Sequence, residues 1–204
     1  MSAKTEKKVN LRALCVTAIM GGLGAVLMAL EFPITGLMPS FIKLDFSELP
    51  ALITSFAFGP QWGILVCLIK NLLHLIMGST MGVGELSNFI LGAIFVGTAG
   101  AVYKAKGHKS RKRALIGCVA GTLAMAVLSV ATNYFIVYPL YGAVLGLSTE
   151  TIVAMYSAIL PAADTLLKAL LIFNLPFNIA KGIIDSAICF LLYKPLSPIL
   201  KGRK

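Results

Sequence analysis

Leu49-Pro-Ala-Leu-Ile-Thr-Ser-Phe-Ala-Phe58-Gly59-Pro60-Gln-Trp-Gly-Ile-Leu-Val-Cys-Leu-Ile-Lys70-Asn-Leu-Leu-His-Leu-Ile-Met77 decides how many helices this chain builds. The run is apolar almost throughout and reads at first as one long helix. Pro60 lacks a backbone N–H, and its ring disfavours helical backbone at the residue before it. Gly59-Pro60 therefore predicts a break, with one helix ending at Phe58 and another beginning beyond it.

Comparable apolar blocks flank this run: Ala13–Leu30, Leu86–Val102, Ala114–Val130 and Leu170–Leu192. Of the 204 residues, 58% are hydrophobic and only 13% are charged, and the mean hydropathy is +0.89. A soluble domain of this length carries far more polar surface. About 20 apolar residues are needed for a helix to cross a bilayer. The blocks lack the two-residue alternation of a membrane barrel. They read as helical membrane spans.

The net charge of +10 raises the question of nucleic acid, and its distribution answers it. Fourteen of the 18 Lys and Arg residues fall in three clusters: Lys4, Lys7, Lys8 and Arg12; Lys104, Lys106, Lys109, Arg111, Lys112 and Arg113; and Lys194, Lys201, Arg203 and Lys204. Each abuts the end of an apolar block, the pattern of segments held on the cytoplasmic side. Most acidic residues (Glu31, Asp45, Glu48, Glu85, Glu150 and Asp164) lie in the stretches between the clusters.

If the three clusters share one side, an even number of spans separates each from the next. Leu11–Leu30, the two halves of Leu49–Met77, and Leu86–Tyr103 give four before the second cluster. Ala114–Val137 and Lys168–Tyr193 give two more. The expected architecture is an all-α membrane protein of six transmembrane helices in one bundle, a single domain over residues 1–204, with both termini cytoplasmic. The short Leu49–Phe58 helix is expected to start earlier, capped by Ser47 with Glu48 in its first turn. Thr149–Ala163 suits a helix lying on the outer surface. The basic, then apolar, N-terminus is read as a retained first span, because its apolar part exceeds the roughly 7–15 residues of a signal-peptide core.

Catalytic and metal chemistry find little footing. No Walker A sequence occurs, no HExxH and no Ser-His-Asp set can be assembled from His74 and His108, and the cysteines at 15, 67, 118 and 189 show no metal spacing. They are expected to be small buried thiols.

Two groups of residues ask for explanation. Ala13, Thr17, Gly21, Ala25 and Ala29 recur every fourth position along one stripe of the first span. Such a stripe lets helix backbones approach closely, either inside this bundle or against another membrane subunit. The second group is polar and outward-facing. Asn178 and Lys181 share a helix face, and Asn133 ends the fifth span near them. Two amides and an ammonium match a flat heterocycle bearing carbonyls and ring nitrogens. Against this, Lys181 and Asp185 are one helical turn apart and would neutralise each other, and asparagines also bridge membrane helices at about 0.6 kcal/mol.

Leu44-Asp-Phe-Ser-Glu-Leu-Pro50, Phe58-Gly-Pro60, Lys70-Asn-Leu-Leu73, Gly84-Glu-Leu-Ser-Asn-Phe89, Asn133-Tyr-Phe135 and Pro176-Phe-Asn-Ile-Ala-Lys-Gly182 resemble, in order, the riboflavin-specific S components of energy-coupling-factor transporters. The resemblance implies a multi-pass protein of the bacterial cell membrane that takes riboflavin as transported ligand, with no cofactor. Its implied partners are a transmembrane scaffold subunit and two cytoplasmic ATPases. It assigns Asn133, Asn178 and Lys181 to the polar edge of the isoalloxazine ring. It also gives the loop around Lys43, Leu44, Asp45 and Glu48, and the segment with Gly84, Glu85 and Asn88, a part in holding the ligand. It turns the first-span stripe towards the scaffold subunit. An S component for another vitamin and a ligand-free membrane scaffold are the alternatives.

Overall fold

The structure is a computed structural model that describes residues 10–105 and 110–201, with side chains as far as 193. Lys4, Lys7 and Lys8, Lys106 and Lys109, and Arg203 and Lys204 lie outside the described residues, as do the side chains of Lys194 and Lys201.

Helix α1 (Leu11–Ala29) starts where the Asn10 side chain accepts the Ala13 N–H at 3.2 Å. The chain then passes through a two-residue antiparallel ladder, β1 (Phe32–Pro33) against β2 (Lys43–Leu44), the one departure from an all-helical chain among the described residues. Helix α2 (Glu48–Phe58) ends at Gly59, whose φ of 128° is open to glycine, and α3 (Pro60–His74) begins at the proline. The break is thus where the sequence predicts it. Ser47 stands at the head of α2, but its hydroxyl does not cap the helix; it turns to Asp45 and Lys70. Helix α4 (Val83–Lys104) begins after the left-handed Met81 and Gly82, and Ser110 caps α5 (Arg111–Thr132).

Two helices carry a π turn, Asn133–Val137 between α5 and α6 (Tyr138–Leu145) and Leu170–Asn174 between α8 (Leu166–Ala169) and α9 (Leu175–Lys201). Each widened turn takes up an extra residue and re-aims the helix beyond it. Between them, α7 (Thr149–Ser157) buries Ile152 and Tyr156 and leaves Thr149, Glu150, Thr151 and Ala154 exposed.

By length and composition, four described helices can cross a membrane: Leu11–Ala29, Val83–Lys104, Arg111–Leu145 and Leu166–Tyr193. The products of the Gly59-Pro60 break are shorter, at 11 and 15 residues. Every residue of α2 from Glu48 to Ala57 is buried, as befits a helix apolar on all sides. It is the centre of one apolar core, with Phe95, Val96 and Met125 around it. A second core of Tyr138, Tyr141, Tyr156 and Leu170 joins α6, α7 and the second π turn.

Four of the five small residues of the α1 stripe pack inside this bundle. Ala13, Thr17 and Ala25 are buried, and a Cβ on Gly21 would lie 2.5 Å from Ile69 of α3. Of the five residues, Ala29 alone is exposed. Within this chain the buried members of the stripe let α1 approach α3 closely. The expectation for the thiols holds at Cys67, Cys118 and Cys189, while Cys15 faces outward from α1.

Candidate ligand-binding site

Between the two cores lies an open cavity, lined by Met28 of α1, Glu48 of α2, His74 of α3, Leu91 of α4, Met125 of α5 and Lys181 of α9. Of the residues expected to bind a ligand, Asn133, Asn178, Lys181, Lys43, Asp45, Glu48, Gly84, Glu85 and Asn88 line it. Leu44 does not; it is engaged in the β1–β2 ladder opposite Phe32.

One wall is charged. Lys181 Nζ lies 2.9 Å from both Asp45 Oδ2 and Glu48 Oε2. Lys70, entirely buried on α3, meets the other Glu48 oxygen at 2.8 Å and donates to the Ser47 hydroxyl. Ser47 donates in turn to Asp45. Burial would raise the Asp45 carboxyl, but Lys181 and Lys70 outweigh it and hold the group below the usual carboxylate range. The alternative of a Lys181–Asp185 pair is thus corrected: tertiary neighbours from the first loop and α2 take the ammonium, and neither Asp185 oxygen has a hydrogen-bond partner among the described residues.

The facing wall is neutral. Tyr156 donates to Asn174 Oδ1 at 2.6 Å, and Asn174 Nδ2 donates to the Tyr138 oxygen at 3.0 Å. Each hydroxyl has one proton, so Tyr138 donates to Tyr156 across 2.6 Å and the three groups close a ring. Phe41 of the α1–α2 connection packs on Tyr138, Tyr141 and Tyr156 with centroids 5.8–6.2 Å apart. At the mouth, His74 Nδ1 lies 2.9 Å from Glu85 Oε1, and the Thr80 hydroxyl donates to Glu85 Oε2 at 2.7 Å. Lys43 is paired with Glu31 at 2.5 Å.

Unused valences point into the space. Lys181 has three N–H donors and spends two on carboxylates. Asn178 spends one amide hydrogen on the Asn174 carbonyl at 2.8 Å, leaving its Oδ1 and its other N–H without a hydrogen bond among the described residues. Asn133 Oδ1 accepts from Ser87 at 3.4 Å, and its NH₂ is similarly unspent. The cavity thus offers donors from Lys181 and Asn133 beside an acceptor and a donor from Asn178.

Sequence reasoning missed Lys70, Tyr138, Tyr156, Asn174 and Phe41. Lys70 stands in an apolar run, and a lysine deep in such a block is a sign of a buried partner. Tyr138, Tyr156 and Asn174 had no signal, because they meet only when the two π-containing helices and α7 pack together.

Residues 12–193 match the family model described as ECF transporter, substrate-specific component. The riboflavin transporter RibU of Staphylococcus aureus is 35% identical over 199 residues, covering 96% of this chain and 97% of its own. The riboflavin transporter FmnP of Bacillus subtilis is 33% identical over 200 residues, with 96% and 97% covered. A solved structure of the S component of a bacterial ECF transporter superposes with a TM-score of 0.72 at 35% identity, covering 93% of this chain and 97% of that one. These proteins are transport components rather than enzymes. The chain belongs to the family of substrate-specific components of ECF transporters.

Proposed function

We propose that this chain captures riboflavin at the outer face of a bacterial cell membrane and delivers it to an ATP-driven energy-coupling module. The observation that carries the reading is the convergence of Lys181, Asn178 and Asn133 on one cavity with unspent hydrogen-bonding groups. The imide edge of a flavin presents carbonyl, N–H and carbonyl in sequence. It is complemented by donor, acceptor and donor, which Lys181, Asn178 Oδ1 and Asn133 supply. The ring faces would rest on Phe41, Phe177, Leu91 and Met125, which line the same space. The names of the relatives in Staphylococcus aureus and Bacillus subtilis support the same ligand.

In this reading the chain is one domain of six spans with both termini cytoplasmic, α2 and α3 crossing as two short helices. The three basic clusters support that topology. Capture involves no bond-making; uphill transport needs partners, a membrane scaffold subunit and two cytoplasmic ATPases. Gly84, Glu85 and Asn88 would hold the ligand from the α4 side.

The test is flavin binding by the detergent-purified protein, read as riboflavin fluorescence quenching. Lys181→Ala removes a charge-assisted donor worth about 1.5–3 kcal/mol, or roughly 10- to 150-fold in affinity. Asn178→Ala and Asn133→Ala remove neutral hydrogen bonds worth about 0.5–1.5 kcal/mol each. A wild-type protein that leaves riboflavin fluorescence unquenched rejects the ligand, and competition with other vitamins then identifies the proper one.

A further inference from the structure

Among the described residues, Asp185 is the one buried carboxylate that the site does not use. It lies on α9 one turn beyond Lys181, is 1% exposed, and has no hydrogen-bond partner at either oxygen. The charged groups that act on it are Lys181 from its own helix, Glu48 from α2, Asp45 from the α1–α2 connection and Lys70 from α3; Asp185 in turn acts on the Cys189 thiol of α9, as does the Cys118 thiol of α5.

The charge count of this cluster decides the state of Asp185. Two ammoniums, Lys70 and Lys181, already meet two carboxylates, Glu48 and Asp45, in contacts of 2.8–2.9 Å. The four sum to zero. A fifth group bearing a negative charge would leave a net charge buried within the bundle with no hydrogen bond to compensate it, an arrangement that proteins avoid by neutralising the group. Asp45 differs from its three partners in place: it stands on the connection between α1 and α2, while Glu48, Lys70 and Lys181 stand on helices. It is the partner that a rearrangement of that connection would withdraw. Asp185, at i+4 on the same helix, is within reach of the ammonium that would then be short of an acceptor.

We propose that Asp185 carries a proton in the unliganded protein and is the reserve counter-ion of Lys181, giving up that proton when Asp45 is withdrawn. The O–H bond of the acid breaks, its proton passes to Lys181, which lines the cavity and releases one of its own protons to water there, and the resulting carboxylate accepts an N–H of Lys181 in place of Asp45. The cluster stays neutral before and after the exchange. Asp185 acts through Lys181 and is a positioning residue; it does not line the cavity.

Infrared spectroscopy of the full chain in an ester-free detergent, without flavin, tests this directly. The wild type is expected to show the C=O stretch of a protonated carboxyl group that shifts in D₂O. Asp185→Asn and Asp185→Leu should both abolish that band without lowering the melting temperature, because each replaces a neutral group by another; the two differ in polarity, so one is expected to fold even where the other does not. Asp45→Asn should also abolish the band, because Asp185 then ionises to serve Lys181. A difference spectrum between wild type and either Asp185 variant that lacks the band overturns the proposal, and a band that persists unchanged in Asp45→Asn overturns the exchange. No flavin is present, so these outcomes are separate from those of the binding test.

Discussion

The two walls of the cavity hold their polar groups by opposite means. On the α2–α3 side, Lys70, Glu48, Asp45 and Lys181 alternate in sign and are buried together. On the α6–α7 side, Tyr138, Tyr156 and Asn174 close a ring of neutral hydrogen bonds. Both walls are satisfied, and both position a group that lines the cavity: Lys181 in the first, Asn174 in the second. They differ in what a single deletion leaves behind. Removing one member of the charged wall strands an ion away from water, while removing one member of the ring strands a dipole. Neutral networks are therefore the more forgiving way to shape a pocket, and the charged one supplies the ammonium of the proposed ligand site.

Glu48→Ala should have the largest effect, since it deprives both Lys70 and Lys181 of an acceptor. About 3–5 kcal/mol of stability is expected to go, together with ligand binding, read by thermal unfolding in detergent. Acid should separate the walls next. Asp45 titrates in the folded protein below its ordinary value of 3.8, so its contribution is complete above that value and is lost as the pH falls through the folded value. The melting temperature of the wild type should therefore drop at low pH more steeply than that of Asp45→Asn; parallel curves would refute the assignment. Tyr156→Phe leaves Asn174 Oδ1 and the Tyr138 hydroxyl without their partner and should cost about 1–3 kcal/mol. A cost equal to that of Glu48→Ala would erase the contrast between the walls. Lys168→Gln should do least. Its pair with Asp164, at 2.8 Å, is exposed and i,i+4 on one segment, and such pairs contribute little. A large effect there would mean that charge itself, rather than burial, sets the scale.

Particular residues show where sequence reasoning stops. The Gly59-Pro60 break, the helical blocks and the pairing of Asn178 with Lys181 on one face are local: φ limits, a missing N–H and the 3.6-residue turn act within a few positions. The α1 stripe was legible as a close-packing surface, but not which helix it meets, because Ile69 enters from α3. Lys181 offered an apparent partner at i+4, and the fold chose Asp45, 136 positions away in the chain. Tyr156 carries no signal of a partner in its own segment and becomes a hydrogen-bond centre only through Asn174 and Tyr138.

The sequence by itself determined that the chain is helical and built for a bilayer, where it breaks, and which polar residues stand at the ends of its apolar blocks, since composition and backbone sterics are properties of neighbouring residues. Tertiary structure alone decided which charges neutralise which, how the π turns aim Asn133 and Asn174, and that Asp185 is left unpaired. Those outcomes depend on distances of 3 Å or less between groups, and only the packing of several helices brings such groups together.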